Sequence, residues 1–382
     1  MQVQTMIEAV RGEIASRPRD GWRRDGGSVP CITFRDYMAL CLYHPEFGYY
    51  RSGKIRVGRE GDFYTSAFVG DIMGTQLAEK LAELASESFP DGKRVEVVDW
   101  GGGTGRLGSQ MLEAWKSLGG AGERFALTVL DANPSHRRQA EEALADSVVS
   151  GRARIMAPEA ANEEDWKSRH VIVVANELLD AFPVHRVTRS DGRLLERGVC
   201  WDEESAKLAD CFTEPSDARL TEWLERQSVS LAEGQTTEIG LDGADWTVEL
   251  ASRLGNALLV LIDYGDSTAE LTGRHRMDGT LLCYGRHRAH GDPFRGPGEE
   301  DMTAHVDFEL IRDRASSAGW RERWYGTQKA FLVESGVLAK LADHAIADPF
   351  HPVARRNRAI RQLLLSDGMS ELFKVQIWDK SL

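Results

Sequence analysis

The sequence predicts an α/β protein organised round a nucleotide pocket, and three observations carry that expectation. Val95, Val97 and Val98 form a short apolar run that ends on Asp99 and drops into Gly101, Gly102, Gly103 and Gly105. Beyond the glycines, Leu107, Met111, Leu112, Trp115 and Leu118 recur at helical spacing, so a buried strand leads through a glycine turn into an amphipathic helix. Further apolar runs also stop on acids: Phe125 to Leu130 before Asp131, Val171 to Ala175 before Asn176-Glu177, and Ala257 to Asp263. Open α/β sheets bind ligands at the carboxyl ends of such strands.

Bare amides at the start of the glycine-led helix meet a ligand's polar groups with no Cβ in the way. Gly103, Gly105 and Gly108 satisfy G-x-G-x-x-G, the dinucleotide fingerprint, which is a weak signal alone. Asp131 can accept both hydroxyls of a ribose, and it supports a nucleoside without choosing between cofactor classes. The bland alternative, a βα turn with no ligand, leaves the entropic cost of four glycines unexplained. The wider pattern D-x-G-x-G-x-G, at Asp99, Gly101, Gly103 and Gly105, resembles the first motif of the class I S-adenosylmethionine (SAM) methyltransferases. That resemblance implies a Rossmann-like seven-stranded sheet with its last strand antiparallel. It also implies SAM as cofactor, held by Asp99, Gly101, Gly103, Gly105 and Asp131.

At 382 residues the chain has room for two or three ordinary domains, or for one large core with insertions. Lys+Arg 47 against Asp+Glu 60 gives a formal charge of -13. This speaks against sequence-independent nucleic-acid binding, which rests on clustered cations, and suits a cationic substrate. The cysteines Cys31, Cys41, Cys200, Cys211 and Cys283 form no C-x-x-C pair, so neither a disulfide frame nor a zinc site is expected. The first residues carry acids and no signal-peptide core, and no run reaches membrane-spanning length. The expected compartment is the cytoplasm.

Five segments are expected along the chain. Residues 1–90 read as an N-terminal helical arm, with a helix over 2–16, a loop to Pro30, a helix through Phe34, Tyr37, Met38 and Leu42, and a helix through Ile72, Met73, Leu77, Leu81 and Leu84. Residues 91–186 form the first half of the core. Residues 187–250 read as an inserted, substrate-side subdomain, with a hairpin at Asp191-Gly192, a strand in KLADCFTEP and a helix from Leu220 to Arg226. Residues 251–336 resume the core, with strands at 257–263, 279–285 and 329–335. Residues 337–382 read as a tail of two helices, around Leu338 to Ala345 and Val353 to Leu365, with Phe373 to Trp378 docking the end. His287, His290 and Asp292 lie in a glycine-rich loop and read as solvated surface, so no metal is expected.

Seven blocks in order carry a closer resemblance: LYHPEFGYY, GDFYTS, the glycine loop, ANELLDAFPV (175–184), IDYG (262–265), GPGEEDMTAHVDF (296–308) and TQKAFLVESG (327–336). This arrangement resembles the MidA family, the bacterial and mitochondrial relatives of a complex I assembly factor that methylates an arginine of a respiratory-complex subunit. The sequence departs from the family pattern at Ala67 and Gly102, where proline is usual, and at Trp100, whose bulk stands beside the cofactor loop. The resemblance implies a protein partner presenting an arginine. The guanidinium stays protonated in water, and a carboxylate forking onto two of its nitrogens leaves the third facing the methyl group. Glu177 is the first choice for that carboxylate, Asp180 the second, with Asn176 orienting. The residues alone also fit a capped helix start, with Asn176 as cap and both acids in the first turn. Asp62, Thr65 and Ser66 of GDFYTS are implied to close over SAM or its target. His305 reads either as a base or as a histidine that fastens a loop. Two other readings stay open: a SAM-fold scaffold without turnover, and an NAD(P)-linked oxidoreductase on the same βαβ unit.

Overall fold

The computed structural model describes residues 5–54, 70–285, 288–343, 348, 350–365 and 370–381. The chain folds as two compact units, the first of residues 1–52, 179–247 and 265–314, the second of residues 53–178, 248–264 and 315–382.

The second unit holds the sheet that the apolar runs predict. Its strands are Val95–Trp100 (β1), Phe125–Leu130 (β2), Ala153–Met156 (β3), His170–Asn176 (β4), Ala257–Asp266 (β5), Arg321–Thr327 (β6) and Phe373–Lys380 (β7). Hydrogen-bonded neighbours run β3-β2-β1-β4-β5-β7-β6. β1 pairs in parallel with β2 and β4, β2 with β3, and β4 with β5, whereas β7 is antiparallel to both β5 and β6. Parallel strands covered on both faces read as continuous apolar runs, and every residue of β2 is buried. The helix Arg106–Ser117 closes one face: Trp115 stacks on Phe125 at 4.8 Å and its Nε1 donates to Ala78 O at 3.0 Å in the helix Ile72–Ser88. A buried side chain of this size contributes roughly 1.5–3 kcal/mol through the apolar surface it removes from water.

Two expectations about this sheet are corrected. Residues 329–335, expected as a strand, form most of the helix Gln328–Glu334 and its C-cap Ser335, and at the other end the Thr327 side chain caps it by accepting from Ala330 N. A short apolar run does not distinguish a buried strand from a buried helix turn. The antiparallel strand is instead β7, in the stretch expected to be a docking tail. Its polar residues hid it, yet each has a partner: Lys374 Nζ reaches Glu371 O at 2.6 Å, Gln376 Nε2 reaches Glu322 at 2.8 Å, and Asp379 pairs with Arg321 and Arg323. Of the two tail helices, Pro352–Leu365 forms, and the described part of the other is a single 3₁₀ turn, Val337–Lys340.

The first unit carries a sheet in the order 236–239, 185–190, 193–202, 28–33, 19–22 and 207–213. The strand Arg193–Asp202 also pairs with Lys207–Thr213, so four strands close into a ring. Inside it pack Val29, Cys31, Cys200 and Cys211. The turn at Asp191-Gly192 joins Ser190 and Arg193, with φ of 51° and 75°, the left-handed pair that a two-residue hairpin requires. The stretch expected as a loop up to Pro30 is a second hairpin, Arg19–Trp22 against Ser28–Thr33. Through these two strands, residues 1–52 share one unit with the inserted segment. Residues 279–285 are also corrected: Leu282–Gly285 belongs to a separate three-stranded sheet with Arg288–His290 and Asp301–Thr303.

Candidate functional site

The site is built at the carboxyl edge of the parallel sheet. Asp99 lies opposite Val129 of β2 and Val174 of β4, and Asn176 lies opposite Ile262 of β5. Four neighbouring strands therefore each carry an acid at this edge, Asp131, Asp99, Glu177 and Asp263, with β5 alone running three residues beyond its acid.

After β1 the chain turns through Gly101, Gly103 and Gly105, with φ of 75°, 56° and 74°, a left-handed series that side chains resist. The intervening Gly102 is needed for its size. A Cβ there would stand 2.7 Å from Asp99 Oδ2 and 2.8 Å from Val129 Cγ1. Among the described residues nothing stands within 4 Å of a Cβ placed on Gly103. The loop is a cradle packed tightly on Asp99 and Val129 beneath, and its bare glycine backbone fits a nucleoside cofactor laid over it.

The two predicted cofactor acids are both buried, and they play different parts. Asp131 Oδ2 accepts Gly103 N at 2.9 Å, and its Oδ1 accepts Asn133 N at 2.7 Å with His136 Nδ1 3.4 Å away. Each carboxylate oxygen keeps acceptor capacity for a further donor such as a ribose hydroxyl. Asp99 sits under the loop, only 1% exposed, and its Oδ2 has no hydrogen-bond partner among the described residues. Burial first, then the neighbouring Asp131, pushes its carboxyl up to about 7, while a hydrogen bond from the Gly108 amide pulls the other way. Asn133 and Ser135 hold the backbone of the preceding segment, through Lys54 O at 2.7 Å and Gly53 O at 2.5 Å. Gln110 Nε2 holds Gly70 O at 2.9 Å. Asp62, Thr65, Ser66 and Ala67 lie outside the described residues.

At the end of β4, Asn176 is buried and its Nδ2 donates to Glu177 Oε1 at 3.2 Å. Glu177 takes φ of 54° and is half-buried. The helix start that the residues also fitted does not form, since a left-handed residue breaks the chain before the short 3₁₀ turn Leu179–Ala181. A non-glycine residue held there costs on the order of 1–3 kcal/mol and persists only where its surroundings impose it.

Asp180 and His305 belong to the first unit. Asp180 is buried, and its carbonyl accepts Ala304 N at 3.0 Å; the His305 amide donates to Thr280 Oγ1 at 3.1 Å. The same unit joins Tyr43, Tyr50 and Asp301. Tyr43 donates to Ala181 O at 2.9 Å, Tyr50 donates to Asp301 Oδ1 at 2.8 Å, and the two rings stack at 5.7 Å. Burial, then Asp301, raises both hydroxyls well above their ordinary value, so they remain protonated donors. Their order in LYHPEFGYY was visible, but not the partners, which lie more than a hundred residues away. Trp100 ends β1, half-buried. Among the described residues no group of three His, Cys, Asp or Glu side chains is placed to hold a metal, and His290 pairs with Glu300 at 2.8 Å; His287 lies outside them. Among them, too, no helix is long and apolar enough to cross a membrane.

A sheet in this order, with a glycine cradle after its first strand and an acid after its second, defines a class I SAM-dependent methyltransferase. The chain belongs to the family described as S-adenosyl-L-methionine-dependent methyltransferase, whose model matches residues 72–326, and this is the MidA family that the ordered blocks resemble. A solved COG1565 superfamily member from Burkholderia thailandensis, bound to S-adenosyl-homocysteine, is 28% identical with a TM-score of 0.84, covering 98% of this chain and 91% of that one. Among curated proteins, the mitochondrial protein arginine methyltransferase NDUFAF7 of Rattus norvegicus is 27% identical over 338 residues, 81% of this chain and 72% of that protein. Its Drosophila melanogaster homolog is 26% identical over 317 residues, 75% and 67% of the two chains. The cofactor is SAM, and the dinucleotide reading of the glycine motif is set aside.

Asp131→Ala is expected to weaken SAM binding by about 10-fold or more in calorimetric titration, the loss of charge-assisted hydrogen bonds. Undiminished affinity would show that the ribose is held elsewhere. Asp99 gives a second test. Because its folded value of about 7 lies above the ordinary 3.8, the folded protein holds a proton that the unfolded chain releases. Its contribution to stability is full below 3.8 and is lost as pH rises through about 7. Asp99→Asn should flatten the fall in urea midpoint across that window, and an unchanged fall would show Asp99 ionised throughout.

Proposed function

We propose that this methyltransferase acts on arginine side chains of a protein partner, such as a respiratory complex I subunit. The observation that carries the reading is the placement of Glu177, a carboxylate held in a left-handed turn at the end of the strand beside the cofactor loop, with Asn176 bonded to it. The names of the mitochondrial relatives support the same acceptor.

SAM supplies an activated methyl group, and in-line displacement needs the acceptor nitrogen directly behind the methyl carbon. The protein's task is therefore to orient and to place charge. Glu177 forks onto two guanidinium nitrogens and leaves the third toward the methyl, while Asn176 fixes the carboxylate's rotamer. Bound over the glycine loop, SAM would supply the methyl and leave as S-adenosylhomocysteine, and the proton shed by the methylated nitrogen would pass to solvent water, so that Glu177 keeps its charge throughout. Asp180 is the second carboxylate for the incoming cation, and Asp62, Thr65 and Ser66 are assigned to covering SAM or its target. His305 fastens its loop through its backbone and is not required as a base. Gly101, Gly103, Gly105 and Asp131 hold the cofactor, with Asp99 supporting the loop from below. The formal charge of -13 favours approach of a basic acceptor. Five free, buried thiols suit a reducing compartment, and the cytoplasm is the assigned location.

Incubating the protein with SAM carrying a deuterated methyl group and a cell extract, followed by peptide mass spectrometry, tests the acceptor. Deuterated methylarginine is expected, falling on the order of 100-fold with Glu177→Gln. Label on another residue type, or an unchanged yield in the variant, would contradict the reading. SAM binding with no label transferred would favour a scaffold.

A further inference from the structure

Asp263, the acid of the block IDYG, meets the turn that carries Glu177. β4 ends in a ladder bond, Glu177 N donating to Ile262 O at 2.8 Å. The left-handed φ of Glu177 then swings the next amide out of the ladder, and Leu178 N donates to Asp263 Oδ2 at 3.1 Å. The other oxygen, Oδ1, accepts Tyr264 N at 2.9 Å, and Asp263 is 1% exposed. On the far side, a Cβ added to Gly101 would stand 2.9 Å from Leu178 Cδ1, so the turn is wedged against the cofactor loop.

We propose that Asp263 is a positioning residue for methyl transfer, holding the Glu177 turn in the conformation that presents its carboxylate; this rests on the reading of Glu177 given above. Burying an acid is costly unless its oxygens are bonded, and here each oxygen accepts one backbone amide, Leu178 N from the turn after β4 and Tyr264 N from its own strand. Without that acceptor the Leu178 amide loses its partner, and the turn relaxes toward an ordinary extended or helical φ. Glu177 would then swing away while the glycine cradle, whose own anchor is Asp131, stays in place. The inference thus separates cofactor binding from acceptor binding: Asp263 should matter for the second only.

The test uses the full chain and two probes in calorimetric titration, S-adenosylhomocysteine and an adenosine analogue bearing a guanidine at the methyl position. In the native protein the guanidine should add affinity. Asp263→Ala should lose about 10-fold of that added affinity, Glu177→Gln at least as much, and S-adenosylhomocysteine should bind all variants alike. The double variant should be no weaker than Glu177→Gln alone, because both changes remove one interaction. Asp263→Asn, which keeps one acceptor for Leu178 N, should fall between, and it carries the comparison should the alanine variant not fold. Losses that multiply in the double variant, a parallel loss of S-adenosylhomocysteine affinity, or full guanidine preference in the Asp263 variants would overturn the inference. Full preference in Glu177→Gln would instead overturn the reading of Glu177 on which it rests.

Discussion

The turn after β4 is the constraint on which the site depends. Glu177 is forced to φ of 54° between a ladder bond to Ile262 and the Asp263 carboxylate on Leu178, with Leu178 pressed toward Gly101. That single arrangement links β5, β4 and the cofactor loop after β1. It fixes where the Glu177 side chain leaves the backbone, and for the proposed role of that carboxylate this would limit the reorganisation needed when an acceptor arrives.

The cofactor half of the site is organised by a different economy. Asp131 accepts from the loop with one oxygen and from the following turn with the other, so the acid proposed to meet the ribose also shapes the cradle. Asp99 lies beneath, close enough to feel Asp131 and, among the described residues, without a hydrogen-bond partner on Oδ2. Two acids so close are tolerable because one of them holds its proton near neutral pH. Trp100, beyond Asp99 on the same strand, adds bulk at the edge of the loop.

The legible parts were those whose signals are local. β1, β2, β4 and β5 announce themselves as apolar runs ending on acids, and Asp191-Gly192 names its own turn. β7 did not, because Lys374, Gln376 and Asp379 are satisfied by residues from other segments that no local pattern reveals. Gln328–Glu334 misread as a strand because a short apolar run has no decisive period. Arg19–Trp22 was missed because its glycine and charges mask an edge paired with Phe212 and Thr213 far along the chain. At the site, Glu177, Asn176, Asp131 and the glycines could be named from sequence and resemblance. The strain at Glu177, the grip of Asp263 and the Tyr50–Asp301 bond are non-local, and only the folded chain brings them together.

If the strain at Glu177 is kept for its side chain, glycine there should relieve it. Glu177→Gly should raise stability by roughly 1 kcal/mol in urea unfolding, since glycine takes positive φ freely, while methyl transfer to arginine collapses. A less stable variant, or one that still transfers the methyl group at the native rate, would contradict the account.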